Sequence, residues 1–166
     1  KWASQVALDL GVTAPTIATA VFARTLSALK PERVLAAQVL SGPQQVHAGD
    51  RQVVLAKIKN ALLAAKICTY AQGFSLLRAA DLEYAWQMSM VSVASVWRAG
   101  CIIRAHLLQD IVKAYEAKPD LSNLLMDPHF ASSLARCQQD LREVVALGAL
   151  NGVAMPSWMA SLSYYD

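Results

Sequence analysis

The sequence of 166 residues is short of the features that accompany β-structure. It has only seven glycines and six prolines, and no stretch shows sustained strict alternation between apolar and polar residues. Strands with one buried face need that alternation, and the turns between strands need frequent glycine and proline. The pattern therefore argues against a sheet protein.

Loops that cradle phosphate groups are also missing. The sequence contains neither a Gly-x-Gly-x-x-Gly turn nor a Gly-x-x-x-x-Gly-Lys-Ser loop. Such loops hold dinucleotides and nucleoside triphosphates because their backbone N–H groups point at the phosphates. Nothing in this sequence would bind such a cofactor by itself, so any cofactor must bind elsewhere.

Charge of either sign is sparse, and long apolar runs are absent. Charged residues make up 16% of the chain, and the 15 basic and 12 acidic residues are scattered without a basic cluster. That distribution argues against a surface for nucleic acid or anionic membrane. No apolar stretch reaches the roughly 18 to 20 residues that span a bilayer. We therefore expect a soluble protein that binds neither nucleic acid nor membrane.

The three cysteines, Cys68, Cys101 and Cys137, are odd in number and far apart. None has a cysteine or histidine at the short spacing that zinc ligation requires. Free thiols of this kind are typical of reducing compartments. We expect buried, reduced cysteines, no metal site and a cytoplasmic protein.

The remaining titratable residues do not form a catalytic centre. His106 is predicted to pair with Asp110 one helical turn later, a contact worth a few tenths of a kcal/mol. Asp81 and Glu83 lie two positions apart, so they would face different sides of a helix and are expected on a solvated face. No histidine has a cysteine or a second histidine three or four positions away; the three are His47, His106 and His129.

What the sequence does contain is helix. Hydrophobic residues make up 55% of it, and alanine and leucine fill most positions between the breaks. Thr13 is a predicted N-cap with Pro15 in the first turn, and Asp50 is a predicted N-cap after the loop 42–50. The sequence therefore predicts one all-α, bundle-like domain. The expected helices cover about residues 2–10, 14–30, 31–40, 51 onward, 89–98, 101–117, 128–150 and 156–166.

The helix after Asp50 is predicted to be half buried in this bundle. Its two lysines on the solvent side are Lys59 and Lys66, and Gly73 is predicted to mark a close approach of another helix. The opposite, buried face is predicted to consist of Val54, Ile58, Ala61, Ala65 and Cys68.

Four segments together resemble one known family. They are 20–24 (AVFAR), 70–74 (YAQGF), 97–104 (WRAGCIIR) and 163–166 (SYYD). In this order they resemble the C-terminal, all-helical domain of the 6-phosphogluconate dehydrogenases, and the resemblance runs along the whole chain. It implies the fold that the helix pattern predicts.

The resemblance also implies a substrate-binding residue, Arg24. The residues alone leave two readings open for Arg24: a side chain that extends along the surface into solvent, or a guanidinium that reaches a cleft or interface. In the family, the arginine that ends the AVFAR segment contacts the phosphate of 6-phosphogluconate. Arg98 and Arg104 are expected to hold helix ends or a subunit interface, and the segment 70–74 is expected to serve packing.

Enzymes of this family oxidise 6-phosphogluconate with NADP and decarboxylate the product to ribulose 5-phosphate, in the pentose phosphate pathway and gluconate utilization. The resemblance implies that an N-terminal Rossmann domain binds NADP and that a C-terminal tail crosses to the other subunit of a homodimer. Residues 1–166 would then be an incomplete C-terminal helical domain for substrate binding and dimerisation. Both ends look cut from a longer protein. We expect the chain to contain no catalytic residue, to be inactive alone and to self-associate.

One alternative from another class fits composition and periodicity equally well. The chain could be a non-enzymatic helical module that dimerises or offers a groove to a partner helix. A Gly-x-Gly-x-x-Gly turn upstream of Lys1 in the parent reading frame would favour the enzyme over this module.

Overall fold

A computed structural model describes residues 1–44, 49–98, 101–103 and 105–166. In these ranges the chain folds into eight α-helices and one 3₁₀ turn and forms no strand, which confirms the all-α prediction. His47 and Arg104 lie outside the described residues. The helices are α1 (Trp2–Asp9), α2 (Pro15–Ala28), α3 (Lys30–Val39), α4 (Arg51–Tyr84), α5 (Met90–Val96), α6 (Leu107–Ala117), α7 (Pro128–Leu150) and α8 (Pro156–Tyr165), with the 3₁₀ turn at Leu124–Met126.

Helix α4 is the longest element and runs through the centre of the fold. Asp50 caps it as predicted, since its carboxylate accepts hydrogen bonds from the N–H groups of Gln52 at 2.6 Å and Val53 at 3.3 Å. A cap of this type typically stabilises a helix by about 1 kcal/mol. The helix ends at Tyr84, and Ala85 in the C-cap position has a φ of 51°, in the left-handed region.

The main core lies between α4, α5, α6 and α7. The predicted buried face of α4 is confirmed at Ala61, Ala65 and Cys68, and Lys59 and Lys66 are exposed. The prediction is wrong at Ile58, which is exposed, and Val54 is only half-buried. Further along the helix, the Phe74 ring stacks on Tyr115 and meets Trp97 edge-on. The central helix thus carries an apolar face over most of its length.

Several boundaries differ from the prediction. Thr13 does not cap α2; Ala14 occupies the N-cap position and offers no side-chain oxygen. Helix α6 begins at Leu107 rather than at Cys101. The prediction of a close approach at Gly73 is wrong, because a Cβ there would meet no described atom within 4 Å; the tight position is Gly148, where a Cβ would lie 2.6 Å from Met155 Cε.

The predicted pair of His106 and Asp110 is also wrong. Asp110 instead faces α7, where His129 Nε2 lies 3.6 Å from its Oδ2, and it also contacts Lys113 at 3.7 Å. His106 occupies the N-cap position of α6, ahead of the regular turn in which residues four apart face each other. Spacing along one helix could not show that α7 supplies the partner.

Asp81 is not simply solvated, since its Oδ1 accepts a hydrogen bond from the Met88 N–H at 2.7 Å. It therefore helps to hold the connection between α4 and α5. Glu83 is exposed, as predicted.

The three cysteines are free, and they differ in burial. Cys68 and Cys137 are buried, whereas Cys101 is only half-buried, which corrects the expectation that all three are buried. Burial raises the pKa of the Cys68 thiol to about 11 and also raises the pKa of Cys137.

Thiol reactivity should follow this burial. At pH 8 about one Cys68 side chain in a thousand is ionised at a pKa near 11, and the thiolate is the reactive form. We expect a disulfide reagent to label one thiol quickly, and Cys101→Ser to remove that fast phase. Unfolding the protein in guanidinium chloride should make all three thiols react. A fast phase that persists in Cys101→Ser would contradict the burial pattern.

Candidate functional site

Arg24 lies in the second half of α2 and is exposed. Its guanidinium forms no hydrogen bond or ion pair with any residue in the described ranges. By contrast, Arg33 donates to the Ser27 carbonyl and so ties α3 to the end of α2. Arg24 is therefore a cation whose donors remain available to an external anion.

The position of α2 depends on a buried polar network near its start. Thr16 is 5% exposed, and Gln72 of α4 and Ser161 of α8 are fully buried. The Thr16 N–H donates to Gln72 Oε1 at 2.9 Å, and Gln72 Nε2 lies 2.9 Å from Thr16 Oγ1. Thr16 Oγ1 lies 3.0 Å from Ser161 Oγ. Three helices therefore meet at one set of hydrogen bonds.

The directions of these bonds follow from their chemistry. A backbone N–H can only donate, so the Gln72 oxygen faces Thr16 N and the amide nitrogen donates to Thr16 Oγ1. The Ser161 hydroxyl donates to the Ser157 carbonyl at 2.9 Å. The hydrogen between Thr16 and Ser161 must then come from Thr16. The direction of each hydrogen bond in the network therefore determines the direction of the next.

An apolar groove of about 420 Å³ runs beside α2. Ala23, the neighbour of Arg24 in the chain, forms part of its wall. The other walls come from α4, α7 and the start of α8, through Ile58, Val144, Met155, Pro156 and Trp158.

Arg98 follows the end of α5 and lines a different pocket, with His106 and Gln109. Arg98 therefore does not share the groove beside α2. Tyr70, in the YAQGF segment, donates its hydroxyl hydrogen to the Ile103 carbonyl at 2.9 Å and so ties α4 to the WRAGCIIR segment. The expected role of Arg98 at helix ends or an interface stays a prediction.

The last segment, SYYD, anchors α8. Arg142 of α7 forms two hydrogen bonds to the Asp166 carboxylate, and these lower the pKa of Asp166. Asn123 donates to the Tyr164 hydroxyl at 2.8 Å. Helix α8, which supplies Ser161, is thus held at its C-terminal end as well.

Sequence reasoning missed Gln72, Thr16 and Ser161. One signal was present for Gln72: it stands four positions after Cys68, on the same buried face of α4. A long polar side chain on an apolar face needs buried partners. Nothing in the local sequence indicated Thr16 and Ser161 as those partners.

Comparison with known proteins identifies the family. The family model "6-phosphogluconate dehydrogenase, C-terminal domain" matches residues 1–166. The chain belongs to the 6-phosphogluconate dehydrogenase family. The decarboxylating 6-phosphogluconate dehydrogenase of Escherichia coli K12 is 49% identical over 166 residues, all of this chain and 36% of that protein. The enzyme of Lactococcus lactis is 46% identical over the same residues, 35% of its length.

A solved structure of a 6-phosphogluconate dehydrogenase agrees. The Plasmodium falciparum enzyme, described in its apo form and in complexes with its cofactor NADP+ and its substrate 6-phosphogluconate, superimposes with a TM-score of 0.92 at 30% identity. The match covers 99% of this chain and 36% of that one. The chain thus spans just over a third of the length of the family members it matches.

The described residues offer neither a cluster of metal ligands nor a membrane-spanning helix. They contain no group of three or more histidine, cysteine, aspartate or glutamate side chains placed to hold a metal ion. Among the described helices, none has both the length and the apolar character to cross a bilayer.

Proposed function

We propose that this chain is the helical substrate-binding and dimerisation domain of a cytoplasmic, NADP-dependent, decarboxylating 6-phosphogluconate dehydrogenase. The complete enzyme oxidises 6-phosphogluconate and decarboxylates the product to ribulose 5-phosphate in the pentose phosphate pathway. One observation carries the proposal: Arg24 is exposed and unpaired among the described residues, in a chain 49% identical to the decarboxylating enzyme of E. coli.

Arg24 binds the substrate phosphate in this proposal. A guanidinium stays charged at every physiological pH, and its planar fork matches two phosphate oxygens at once. Such a contact fixes both the position and the orientation of the phosphate end. The sugar acid is then held at one end while the reaction occurs at the other.

The cofactor does not fit the residues of this chain. The described residues form no strand and the sequence has no glycine-rich phosphate loop, so the strand-turn-helix unit that holds a dinucleotide is missing from them. In this proposal NADP is bound by an N-terminal Rossmann domain, and the general acid and the general base of the reaction lie outside this chain. The other residues that bind the substrate phosphate belong, in this proposal, to the C-terminal tail of the partner subunit.

The chemistry is tested on the complete protein. We expect 6-phosphogluconate to drive NADP reduction together with release of carbon dioxide and formation of ribulose 5-phosphate. Gluconate, which lacks the phosphate, is the matched control and should be a very poor substrate. If the folded complete protein turns over neither compound, the chain is instead a non-enzymatic helical module.

Helix α3 is the part of this chain that we propose for the homodimer interface. None of its residues is buried, and it packs extensively against no other described helix. A ten-residue helix is marginal in water without such packing. Its exposed apolar side chains are Val34, Leu35 and Val39. A second copy of the chain would cover them in a twofold interface, which buries the same surface on both subunits.

Leu35→Glu combined with Val39→Glu should therefore weaken the dimer. These residues are one turn apart, so the two charges would fall on one face of α3. Sedimentation velocity over a hundredfold concentration range should show a dimer for the parent protein and a monomer for the double variant. The matched control is Leu82→Glu, on a leucine of α4 whose exposure lies between those of Leu35 and Val39. A dimer that survives the double variant would place the interface elsewhere.

A further inference from the structure

Gln72 lies far from Arg24 in sequence and belongs to another helix, yet the structure connects them through α2. We infer that Gln72 is a positioning residue, which sets the register and tilt of α2 and thereby places Arg24 for the substrate phosphate. This inference rests on the proposed function of Arg24. It assigns a role in substrate binding to a residue that does not touch the substrate.

The start of α2 has no cap of its own. Pro15 has no N–H group, and Ala14 at the N-cap position offers no side-chain acceptor. The first free backbone donor is the Thr16 N–H, and Gln72 Oε1 accepts from it. A side chain of α4 thus caps α2, in place of the local serine, threonine or aspartate that usually does so.

The network accepts only one register of α2. Gln72 needs a backbone donor and a hydroxyl acceptor from the same residue, and Thr16 supplies both. A shift of α2 by one residue would bring Pro15 or Ile17 to this place, and neither has a hydroxyl group. A buried amide without partners costs about 1 to 3 kcal/mol. Other registers are therefore disfavoured.

Helix α2 packs along α8, yet no apolar residue of α2 is fully buried. The main core cluster contains no residue of α2, and Thr16 is the one buried residue of this helix. A small second cluster includes only Ile17 of α2, partly buried, beside Ala14 and Leu76. The polar network therefore acts together with the packing on α8 to fix the start of α2.

A tilt of α2 at Thr16 produces a displacement that increases along the helix towards Arg24. Arg24 is eight residues further on, about 12 Å along the axis at 1.5 Å per residue. A tilt of about 5° at the start would move the axis near Arg24 by about 1 Å. A misplacement of that size can lower the catalytic efficiency of an enzyme by up to about 100-fold.

The test uses the complete enzyme and the variants Gln72→Met, Thr16→Val and Thr16→Ser. Methionine keeps the length of glutamine but removes the hydrogen bonds, and valine keeps the shape of threonine but removes the hydroxyl. We expect Gln72→Met to raise the KM for 6-phosphogluconate on the order of 10-fold without changing the KM for NADP. Thr16→Val should also raise the KM for 6-phosphogluconate. Thr16→Ser keeps the hydroxyl group, so its KM should stay near that of the parent enzyme.

Two controls distinguish the positioning role of Gln72 from a role in stability alone. Leu134→Ala, in the main core on α7, should lower the melting temperature without a selective effect on the KM for 6-phosphogluconate. In an Arg24→Ala background, Gln72→Met should add little, because the residue through which it acts is already missing. If Gln72→Met does not fold, Thr16→Val, alone and combined with Arg24→Ala, decides instead.

The outcomes distinguish this inference from the proposed function. If Arg24→Ala leaves the KM for 6-phosphogluconate unchanged, the phosphate role of Arg24 is wrong and the inference falls with it. If Arg24→Ala raises the KM but folded Gln72→Met and Thr16→Val do not, the inference alone is overturned. Equal effects of Gln72→Met with and without Arg24 would also overturn it.

Discussion

Arg24→Ala in the complete enzyme should raise the KM for 6-phosphogluconate by about 10- to 150-fold. This range corresponds to the roughly 1.5 to 3 kcal/mol of a hydrogen bond to a charged group. Arg24 is exposed and bonds to no described residue, so its removal breaks no internal contact that the structure shows. We therefore expect the loss to appear in substrate binding while the melting temperature stays nearly constant.

The conservative replacement sharpens this expectation. Arg24→Lys keeps the charge but cannot form two parallel hydrogen bonds to the phosphate, so it should recover only part of the affinity. Arg51→Ala removes another exposed arginine, at the start of α4, and is the matched control with an expected KM near that of the parent. An unchanged KM in a correctly folded Arg24→Ala enzyme would show that Arg24 has no part in binding the phosphate.

The helices could be predicted because their ends are marked by local chemistry. Asp50 offers an acceptor to the first N–H groups of α4, and Pro128 and Pro156 begin α7 and α8 at the predicted residues. Gly11, with a φ of 63°, follows α1 where a left-handed residue is needed. Each signal depends on interactions within a few residues, and such interactions can be inferred from sequence.

The contacts between helices could not be predicted in the same way. Gln72 is separated from Thr16 by 56 positions, and Ser161 from Thr16 by 145. Periodicity shows which face of a helix is buried but does not show which residue of another helix meets it. The false pairing of His106 with Asp110 has the same origin, because the true partner, His129, comes from α7.

The resemblance and the structure complement each other at this point. The family segments AVFAR and YAQGF looked like separate motifs in the sequence, one for binding and one for packing. In the structure YAQGF supplies Gln72, which caps the helix that carries AVFAR. The packing segment thus bears directly on the position of the binding residue.

The 166-residue chain alone should fold but show no NADP-dependent oxidation of 6-phosphogluconate. Its core extends over α4, α5, α6 and α7 within the described residues, so a helical circular dichroism spectrum and a cooperative melt are expected. Its described residues form no strand that could begin a dinucleotide fold, and we propose that the acid and base lie outside the chain. An absorbance assay of NADP reduction at high protein concentration measures this, with the complete protein as the positive control. Arg24 can hold only the phosphate end of the substrate. Turnover that persists after repurification of the 166-residue species would therefore require a cofactor site within these helices. The proposal that NADP binds in a separate domain would then be wrong.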